Sequence, residues 1–296
     1  MILAADIDLV QPDGQRSYRV EVFPNPEQAL GLPPWPTSPQ MGVAVLGTYL
    51  RSKGFHVRAF DNILRLPIAR QRFLDALDSR PLAVGVSTSM LSHPESLRKT
   101  TGWVRERCPE TCVVLGGMSA EFDPAIREFA DVVVLGPGER SMELLLCALK
   151  DGRALADIPN LLFRKCGGWV QTPAEANVGV GELPPTDWSV LDTRASLCYS
   201  IEASRGCRHD CAFCNYRDRR NQRFRPIPAV VEEMRRDQAA FGARFLRFVD
   251  NDLPGHPEHL ETLCGAILKA RLDIPWSCFG RAADFAGRPA LAHRMR

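Results

Sequence analysis

Three cysteines stand close together in the second half of the chain. Residues 204–216 read SRGCRHDCAFCNY, which places Cys207, Cys211 and Cys214 within eight residues. A structural zinc site takes four tetrahedral ligands, commonly as two C-x2-C-like pairs a dozen or more residues apart. In this sequence, a zinc site would need His209, which lies between the first two cysteines, or a distant residue as its fourth ligand.

An iron–sulfur cubane would use the same three cysteines differently. Each thiolate holds one iron, so a cluster held by three cysteines leaves its fourth iron open. An amino and carboxylate chelate can fill that position and place an adjacent sulfonium where it accepts one electron. Simple electron carriers usually take four cysteines, so the missing ligand favours catalysis. Three purely structural thiols are disfavoured, because Arg- and Asp-rich surroundings give cysteines no apolar reason to cluster.

The composition describes an ordinary globular protein with a small partner. The chain has 296 residues, 45% hydrophobic content and 37 Lys plus Arg against 35 Asp plus Glu. This balance predicts no nucleic-acid partner and no attraction to an anionic membrane. No apolar run approaches the ~20 residues that span a bilayer, and no signal pattern opens the sequence. We therefore expect a cytoplasmic protein with reduced thiols, because the other seven cysteines are scattered through apolar segments.

From about residue 38 the pattern alternates between helical spacing and short β-branched runs. This alternation predicts βαβ units and a parallel sheet. The predicted helices are residues 39–53, 69–80, 94–107 and 140–150, with Gly54 ending the first. The predicted strands are residues 56–61, 82–89, 112–117 and 131–136.

Small or polar residues follow the predicted strands. Open parallel sheets bind ligands at the carboxyl ends of their strands, where a close backbone approach requires small side chains. The alternative is that these residues only make the strand-to-helix turns. The cofactor-binding candidates are Ser87, Thr88, Ser89, Gly116, Gly117, Gly136, Gly138 and Glu139.

The pattern changes between residues 151 and 196. Leu161–Lys165 and Trp169–Gln171 around two glycines predict a β-hairpin, and the proline-rich stretch 183–188 predicts a connector. A second βα series follows, with strands at 197–203, 244–249 and 274–279 and helices at 228–241 and 257–270. We therefore divide the chain into domains 1–150 and 197–296, joined by a hairpin and linker at 151–196. The second domain is predicted to be the first half of a (β/α) barrel, with its chemistry on the loops after the strands.

The motif Cys207-x3-Cys211-x2-Cys214, with Phe213 before the third cysteine and a strand leading in, resembles the radical S-adenosylmethionine (SAM) superfamily. The resemblance implies a [4Fe-4S] cluster on these three thiolates and SAM chelated at the fourth iron. It also implies reductive cleavage of SAM to methionine and a 5′-deoxyadenosyl radical. Phe213 takes, by the same resemblance, a place beside the adenine.

Four further residues stand where such enzymes commonly contact cofactor or substrate. They are Asp250, Asn251 and Asp252, after the second strand of the series, and Arg281, after the third. Turn chemistry and a solvated helix start explain them equally well. Glu202 and Arg205 flank the cysteine loop and are candidates for tuning its charge.

The first domain is similar to the cobalamin-binding domain of one radical SAM subfamily. The similarity rests on MGVAVLGTYLRSKGFHVRAFD, on VVLGG at 113–117 and on VVVLGPGE at 132–139. It implies a Rossmann-like α/β domain with cobalamin along the strand ends, followed by an incomplete radical SAM barrel. The sequence has no D-x-H-x-x-G stretch, so cobalamin would bind without a histidine below the cobalt.

Residues 1–37 depart from that subfamily, because Ile7–Val10 precedes an insertion-like stretch ending in Gly31–Trp35. A vestigial domain that only shapes the substrate cavity is the alternative to cobalamin binding. The barrel of such enzymes has six strands, and only about three fit between Leu197 and Arg296. We therefore expect a truncated chain rather than a partner that completes the barrel.

These resemblances predict a cobalamin-dependent methyltransferase acting on a small-molecule or natural-product substrate. The cofactors would be a [4Fe-4S] cluster, SAM and cobalamin, with an external electron donor such as flavodoxin or ferredoxin. A radical SAM cyclase or oxidase with a vestigial cobalamin domain is one alternative. A metal-binding module without catalysis is the other.

Overall fold

The computed structural model describes residues 1–5, 39–89, 93–176, 178–192, 196–214, 216, 221–286 and 288–295. The internal contacts divide the chain into two compact units, one built mainly on Gly42–Val178 and the other mainly on Arg194–Arg296. Across these described stretches, no helix has both the length and the apolar character needed to cross a membrane.

The first unit is built on a seven-stranded sheet. Its first five strands are parallel and lie in the order β2-β1-β3-β4-β5, and β6 and β7 continue the sheet antiparallel from β5. This order reverses direction between β1 and β3, which is the position where doubly wound sheets bind ligands. The strands are β1 Ile2–Ala5, β2 Arg58–Asp61, β3 Ala83–Ser87, β4 Cys112–Gly116, β5 Val132–Val134, β6 Leu161–Lys165 and β7 Gly168–Gln171.

Helices connect the first six strands of this sheet. They are α1 Met41–Ser52, α2 Pro67–Leu77, α3 Pro94–Arg107, α4 Met118–Phe122 and α5 Glu139–Asp151, with a 3-10 helix at Pro124–Phe129. Gly54 follows α1 with φ +84°, and Gly152 caps α5 with φ +65°. Glycine adopts this left-handed conformation without the steric cost that a Cβ imposes. The predicted role of Gly54 is confirmed.

The apolar residues of the sheet pack against helices on two faces. One face buries Phe60 and Phe73 edge to face, with ring centroids 5.8 Å apart, in a cluster that includes Val133. On the other face, side chains of α1, α5 and β5 converge around Gly138. Tyr49 of α1 donates a hydrogen bond of 2.6 Å to the Glu143 carboxylate of α5. Both faces of the parallel sheet are therefore covered, as a doubly wound sheet requires.

The second unit begins with three parallel strands in the spatial order β8-β11-β12. They are β8 Cys198–Ile201, β11 Phe245–Phe248 and β12 Trp276–Cys278. Helices α6 Ile227–Phe241 and α7 Pro257–Lys269 connect them, and α8 Ala282–Phe285 and α9 Pro289–Arg294 follow. A short antiparallel pair, β9 Ser204–Arg205 with β10 Arg223–Phe224, lies between β8 and α6. The predicted βα series is confirmed.

Two features of the fold differ from the sequence prediction. The hairpin predicted within the connector is an integral part of the first sheet, because β6 pairs antiparallel with β5. The strand β1 was missed, since the four residues Ile-Leu-Ala-Ala carry neither alternation nor a β-branched run. The stretches Ile7–Val10 and Gly31–Trp35 lie outside the described residues.

Gly117 is the position at which the sheet edge is least tolerant of a side chain. Its φ is +102°, and a Cβ there would lie 2.6 Å from Ser89 Oγ and 2.7 Å from Ser89 N. We predict that Gly117→Ala destabilises the first unit by about 2 kcal/mol or more, because it adds backbone strain to a steric clash. Gly116→Ala is the matched control, since a Cβ at that position would meet nothing within 4 Å. Thermal unfolding measures both variants, and equal melting temperatures would contradict the prediction.

Candidate cofactor site

The cysteine loop begins where β8 ends. Strand β8 is fully buried, and the chain after it makes the short β9 strand before it reaches Cys207. Between them Gly206 has φ +102°, and a Cβ at this position would lie 1.9 Å from the carbonyl oxygen of Asn221. Only glycine fits this close approach of two backbones. The loop therefore turns sharply just before its first cysteine.

The three cysteines are free thiols, and each is partly buried. The backbone N–H of His209 donates to Cys207 Sγ at 3.5 Å, and that of Tyr216 donates to Cys214 Sγ at 3.4 Å. The Cys214 N–H donates to the Cys211 carbonyl at 3.0 Å, which closes a turn between them. Amide hydrogen bonds to sulfur stabilise negative charge on a thiolate and on a cluster that it holds. The loop is therefore suited to anionic sulfur.

His209 is directed away from the role that a zinc site would give it. Its Nε2 lies 2.8 Å from Asp252 Oδ2, and Arg281 Nη1 lies 2.9–3.0 Å from the two ring nitrogens. Among the described residues, His209, Asp252 and Asp284 are the one group of potential metal ligands whose ligand atoms all lie within 4.8 Å of one another. Four ligands of one zinc ion would lie about 3.8 Å apart at Zn–S distances of about 2.3 Å, which is within this 4.8 Å limit. The three cysteines do not form such a group.

The remaining candidates near the loop have distinct environments. Phe213 is 89% exposed on the turn before Cys214. Glu202 and Arg205 form a two-bond ion pair, with both N–O distances 2.9 Å, and both side chains are largely buried. The charge of Arg205, which lies beside the loop, is therefore already neutralised by Glu202. The predicted role of Phe213 beside an adenine stays a prediction.

Asp250 and Asp252 are buried. The sequence had left open that these residues, which follow β11, form a solvated turn. Their relative exposures are 2% and 1%. Burial raises the pKa of Asp250 to about 6, against the hydrogen bonds from Ser204 and Ala203, which lower it. Burial, with the Asp284 carboxyl beside it, also raises the pKa of Asp252. Sequence alone gave no sign of this burial.

The candidates of the first unit collect at the carboxyl edge of its sheet. Ser87 at the end of β3 pairs in register with Gly116 at the end of β4. The Thr88 hydroxyl donates to the Gly116 carbonyl at 3.0 Å and accepts from the Ala120 N–H at 2.9 Å, so it ties these strand ends to α4. Gly117 packs against Ser89, as described above. The edge therefore brings together the serine and glycine candidates of two neighbouring strands.

The third strand end contributes Gly136, Gly138 and Glu139. Gly136 has φ +71°, and its N–H donates to Glu121 Oε2 at 3.2 Å. A Cβ on Gly138 would make only ordinary contacts at 3.7–4.0 Å, so no steric demand explains this glycine. Glu139 is the first residue of α5 and is 4% exposed. Its charge is one of the causes that raise the pKa of Tyr49. The binding roles of these residues stay predictions.

The comparisons with known proteins agree with this arrangement. A family model described as the B12 binding domain matches residues 36–146. An uncharacterized methyltransferase of Pyrococcus horikoshii is 25% identical over 287 residues, covering 92% of this chain and 61% of the relative. The anaerobic magnesium-protoporphyrin IX monomethyl ester cyclase of Rubrivivax gelatinosus is 24% identical over 263 residues, covering 83% and 47%. The chain therefore spans about half the length of the curated relatives it matches.

Solved structures give the same result for the fold. The radical SAM methyltransferase TsrM of Kitasatospora setae, determined with cobalamin and a [4Fe-4S] cluster, matches with a TM-score of 0.66 at 21% identity, covering 91% of this chain and 51% of TsrM. The cobalamin-dependent SAM radical enzyme OxsB, determined with aqua-cobalamin and SAM, matches with a TM-score of 0.70 at 17% identity, covering 99% and 42%. Residues 36–146 thus match the B12 binding domain model, and the chain shares the fold of these solved enzymes.

This assignment agrees with both sequence resemblances. The B12-binding domain includes α1 to β5 of the first unit and all the strand-end candidates. The cysteine loop lies in the second unit, after β8. Two features of that loop were missed from sequence, namely the left-handed Gly206 and the partners of His209. A glycine directly before the first cysteine was the only signal in the sequence.

The raised pKa of Asp250 gives a pH-dependent stability that can be tested on the apoprotein. A carboxyl whose pKa rises from 3.8 to about 6 on folding stabilises the fold below pH 3.8 relative to a residue that does not titrate, and this contribution is lost as the pH rises through 6. We predict that the stability of the wild type relative to Asp250→Asn falls by about 1.4 kcal/mol between pH 5 and pH 8.

Thermal unfolding at both pH values measures this difference. The exposed Asp273→Asn is the control variant, and its difference from the wild type at each pH corrects for general effects of losing a carboxylate. A stability of the wild type relative to Asp250→Asn that stays constant or rises toward pH 8 would show that Asp250 does not have the buried environment described.

Proposed function

We propose that this chain belongs to a cobalamin-dependent radical SAM enzyme that methylates a small-molecule or natural-product substrate. The observation that carries the proposal is the combination, in one chain, of a matched B12-binding domain with a C-x3-C-x2-C loop at the carboxyl end of a parallel strand. Either feature alone has several explanations. Together with the fold, they support the use of both cofactors in one reaction.

Cys207, Cys211 and Cys214 would hold a [4Fe-4S] cluster. The donor set suits it, because the thiols are free and two of them accept backbone N–H bonds. His209, the nearest candidate for a fourth ligand, is engaged by Asp252 and Arg281. When bound, such a cluster supplies the electron that cleaves SAM reductively. Three thiolates would leave one iron of such a cluster without a protein ligand. Glu202 neutralises the charge of Arg205 beside the loop.

Cobalamin would lie along the carboxyl edge of the first sheet. Gly116 fits such a ligand, because the space beyond its Cα is open within 4 Å. The hydroxyl of Thr88 is used within the edge, which leaves Ser87 and Ser89 as the polar side chains offered there. When bound, cobalamin supplies the capacity to carry a methyl group. The chain offers no D-x-H-x-x-G histidine for the cobalt.

The reducing requirement of this chemistry sets two further expectations. A cluster of this kind needs an external one-electron donor, for which flavodoxin or ferredoxin has the right chemistry. The free thiols of the described residues are consistent with a reducing compartment. We therefore propose that the enzyme works in the cytoplasm.

Cyclisation is the second candidate reaction. It is favoured by the relative from Rubrivivax gelatinosus, which is named as a cyclase and is nearly as similar as the methyltransferase of Pyrococcus horikoshii. A cyclase or oxidase would cleave SAM to 5′-deoxyadenosine and methionine without losing its methyl group. A methyltransferase would in addition leave S-adenosylhomocysteine. The two reactions therefore differ in what remains of SAM.

Iron content tests the cluster assignment. After anoxic reconstitution with iron and sulfide, we predict about four irons per chain in the wild type. Cys207→Ala, Cys211→Ala and Cys214→Ala should each lose most of this iron and the brown colour, because two thiolates do not anchor a cubane. Cys166→Ala, at an exposed cysteine of the first unit, is the matched control and should keep it. Full iron content in all three variants, or one zinc and no iron in the wild type, would refute the assignment.

Bound cobalamin and the products of SAM separate the candidate reactions. We predict that the reconstituted chain retains stoichiometric cobalamin through gel filtration, measured by its visible spectrum. With SAM and a reductant it should form S-adenosylhomocysteine, measured by mass spectrometry. Retained cobalamin with only 5′-deoxyadenosine and methionine would favour a cyclase that uses cobalamin. No retained cobalamin would favour the vestigial domain.

A further inference from the structure

Two buried carboxylates, two residues apart, hold the cysteine loop of the second unit. Asp250 and Asp252 follow β11, and both were predicted from sequence to contact cofactor or substrate, or to make a turn. Neither is exposed beyond 2%. Their oxygens instead contact residues 203–209, which are the start of the loop. The contacts of each carboxylate define what it does there.

Asp250 holds the segment that enters the loop. One oxygen accepts the Ala203 N–H at 3.1 Å, and the other accepts the Ser204 hydroxyl at 2.6 Å. Gln222, on the returning side of the loop, donates to the same Ser204 oxygen at 2.9 Å. The end of β8, the end of β11 and the loop's return are thereby tied together three residues before Cys207.

Asp252 holds the stretch between the first two cysteines. Its Oδ2 lies 2.8 Å from His209 Nε2 and 3.6 Å from Arg208 Nε. Arg208 also donates to the Gly255 carbonyl and lies 3.6 Å from Asp284 Oδ1. A Cβ on Gly255 would lie 2.0 Å from Asp252 Oδ2, so a glycine is needed for this carboxylate to reach the loop.

A divalent cation is the competing explanation for this group. The ligand atoms of His209, Asp252 and Asp284 do lie within 4.8 Å of one another. However, Arg208 and Arg281 bring two guanidinium groups into the same contacts. Arg281 Nη1 lies 2.9 and 3.0 Å from the two ring nitrogens of His209, and Arg208 Nε lies 3.3 Å from its Nε2. The carboxylates already have fixed cationic partners, and a metal ion would lie beside both of these positive charges.

We propose that Asp250 and Asp252 are positioning residues, which clamp the cysteine loop at its entry and between its first two cysteines so that the three thiols are placed before any cluster is bound. The clamp is a property of the apoprotein. Its consequence for a cluster rests on the proposed function, in which the same thiols hold iron.

Alkylation of the thiols tests the clamp without any cluster. In the anoxic apoprotein, we expect Asp252→Ala to raise the alkylation rates of Cys207 and Cys211 about tenfold, which corresponds to about 1.4 kcal/mol of lost protection. Asp252→Asn keeps an oxygen that accepts from His209 and should restore part of that protection. Asp273→Ala, which removes an exposed carboxylate, is the matched control. Peptide mass spectrometry reads each cysteine separately.

His209→Ala keeps the test decisive if Asp252→Ala fails to fold. This variant removes the contact between His209 and Asp252 by changing its more exposed partner. It should likewise raise the alkylation rates of Cys207 and Cys211. In a double variant the effects of His209→Ala and Asp252→Ala should be less than additive, because both remove one interaction. Rates that match those of Asp273→Ala in both single variants would overturn the proposal.

Iron release from the reconstituted cluster, and its paramagnetic resonance spectrum, then connect the clamp to the proposed function. In reconstituted protein, we expect Asp252→Ala to release iron to a chelator about tenfold faster than the wild type, the same factor as the loss of thiol protection. The paramagnetic resonance spectrum of its reduced cluster should also broaden, with partial rescue by Asp252→Asn. Absence of a cluster in the wild type would count against the proposed function alone, since the alkylation rates still decide the clamp. Altered alkylation with unchanged iron release would overturn the link between them.

Discussion

The number of thiolates on one short loop sets what this protein can do. Three sulfurs cannot complete the coordination of a four-iron cluster, and the one imidazole within the loop is held elsewhere by a carboxylate and a guanidinium. A cluster on Cys207, Cys211 and Cys214 would therefore keep one iron accessible to a chelating ligand. That open position distinguishes a site for chemistry from a simple electron carrier. The strands and glycines of the second unit position this loop.

Placement depends on backbone geometry as much as on side chains. Gly206 allows two backbones to approach more closely than any Cβ would permit, and Gly255 does the same for the carboxylate of Asp252. The buried acids at the end of β11 then tie the loop to the neighbouring strand. Burying charged groups is costly, and the hydrogen-bonding contacts of Asp250 and Asp252 offset part of that cost. The start of the loop is thus fixed to the end of β11.

The candidate residues of the two units occupy equivalent places in their sheets. Each presents the carboxyl ends of parallel strands, where loops rather than side chains of the core face a ligand. In the first unit these ends carry serine and glycine, which suit the close approach of an extended cofactor such as cobalamin. In the second unit they carry thiols and buried acids. One architectural rule therefore places the candidate residues of both units.

Sequence patterns predicted the elements well where the signal is local. The helix Pro94–Arg107 has the bounds predicted for it, because Pro94 starts it and its apolar spacing is regular. The pairing of β6 with β5 was missed, since a hairpin pattern does not reveal which third strand it joins. The three cysteines were evident from spacing alone. The roles of Asp250 and Asp252 were not, because their partners Ser204 and His209 lie 46 and 43 residues earlier in the chain.

The open iron is tested most directly by electron paramagnetic resonance of the reduced, reconstituted chain with and without SAM. Binding of the amino and carboxylate groups of SAM to that iron should change the g-values of the cluster, and the change should saturate at about one SAM per cluster. Spectra that are identical at saturating SAM, with the fourth iron held by a protein side chain, would contradict the central claim.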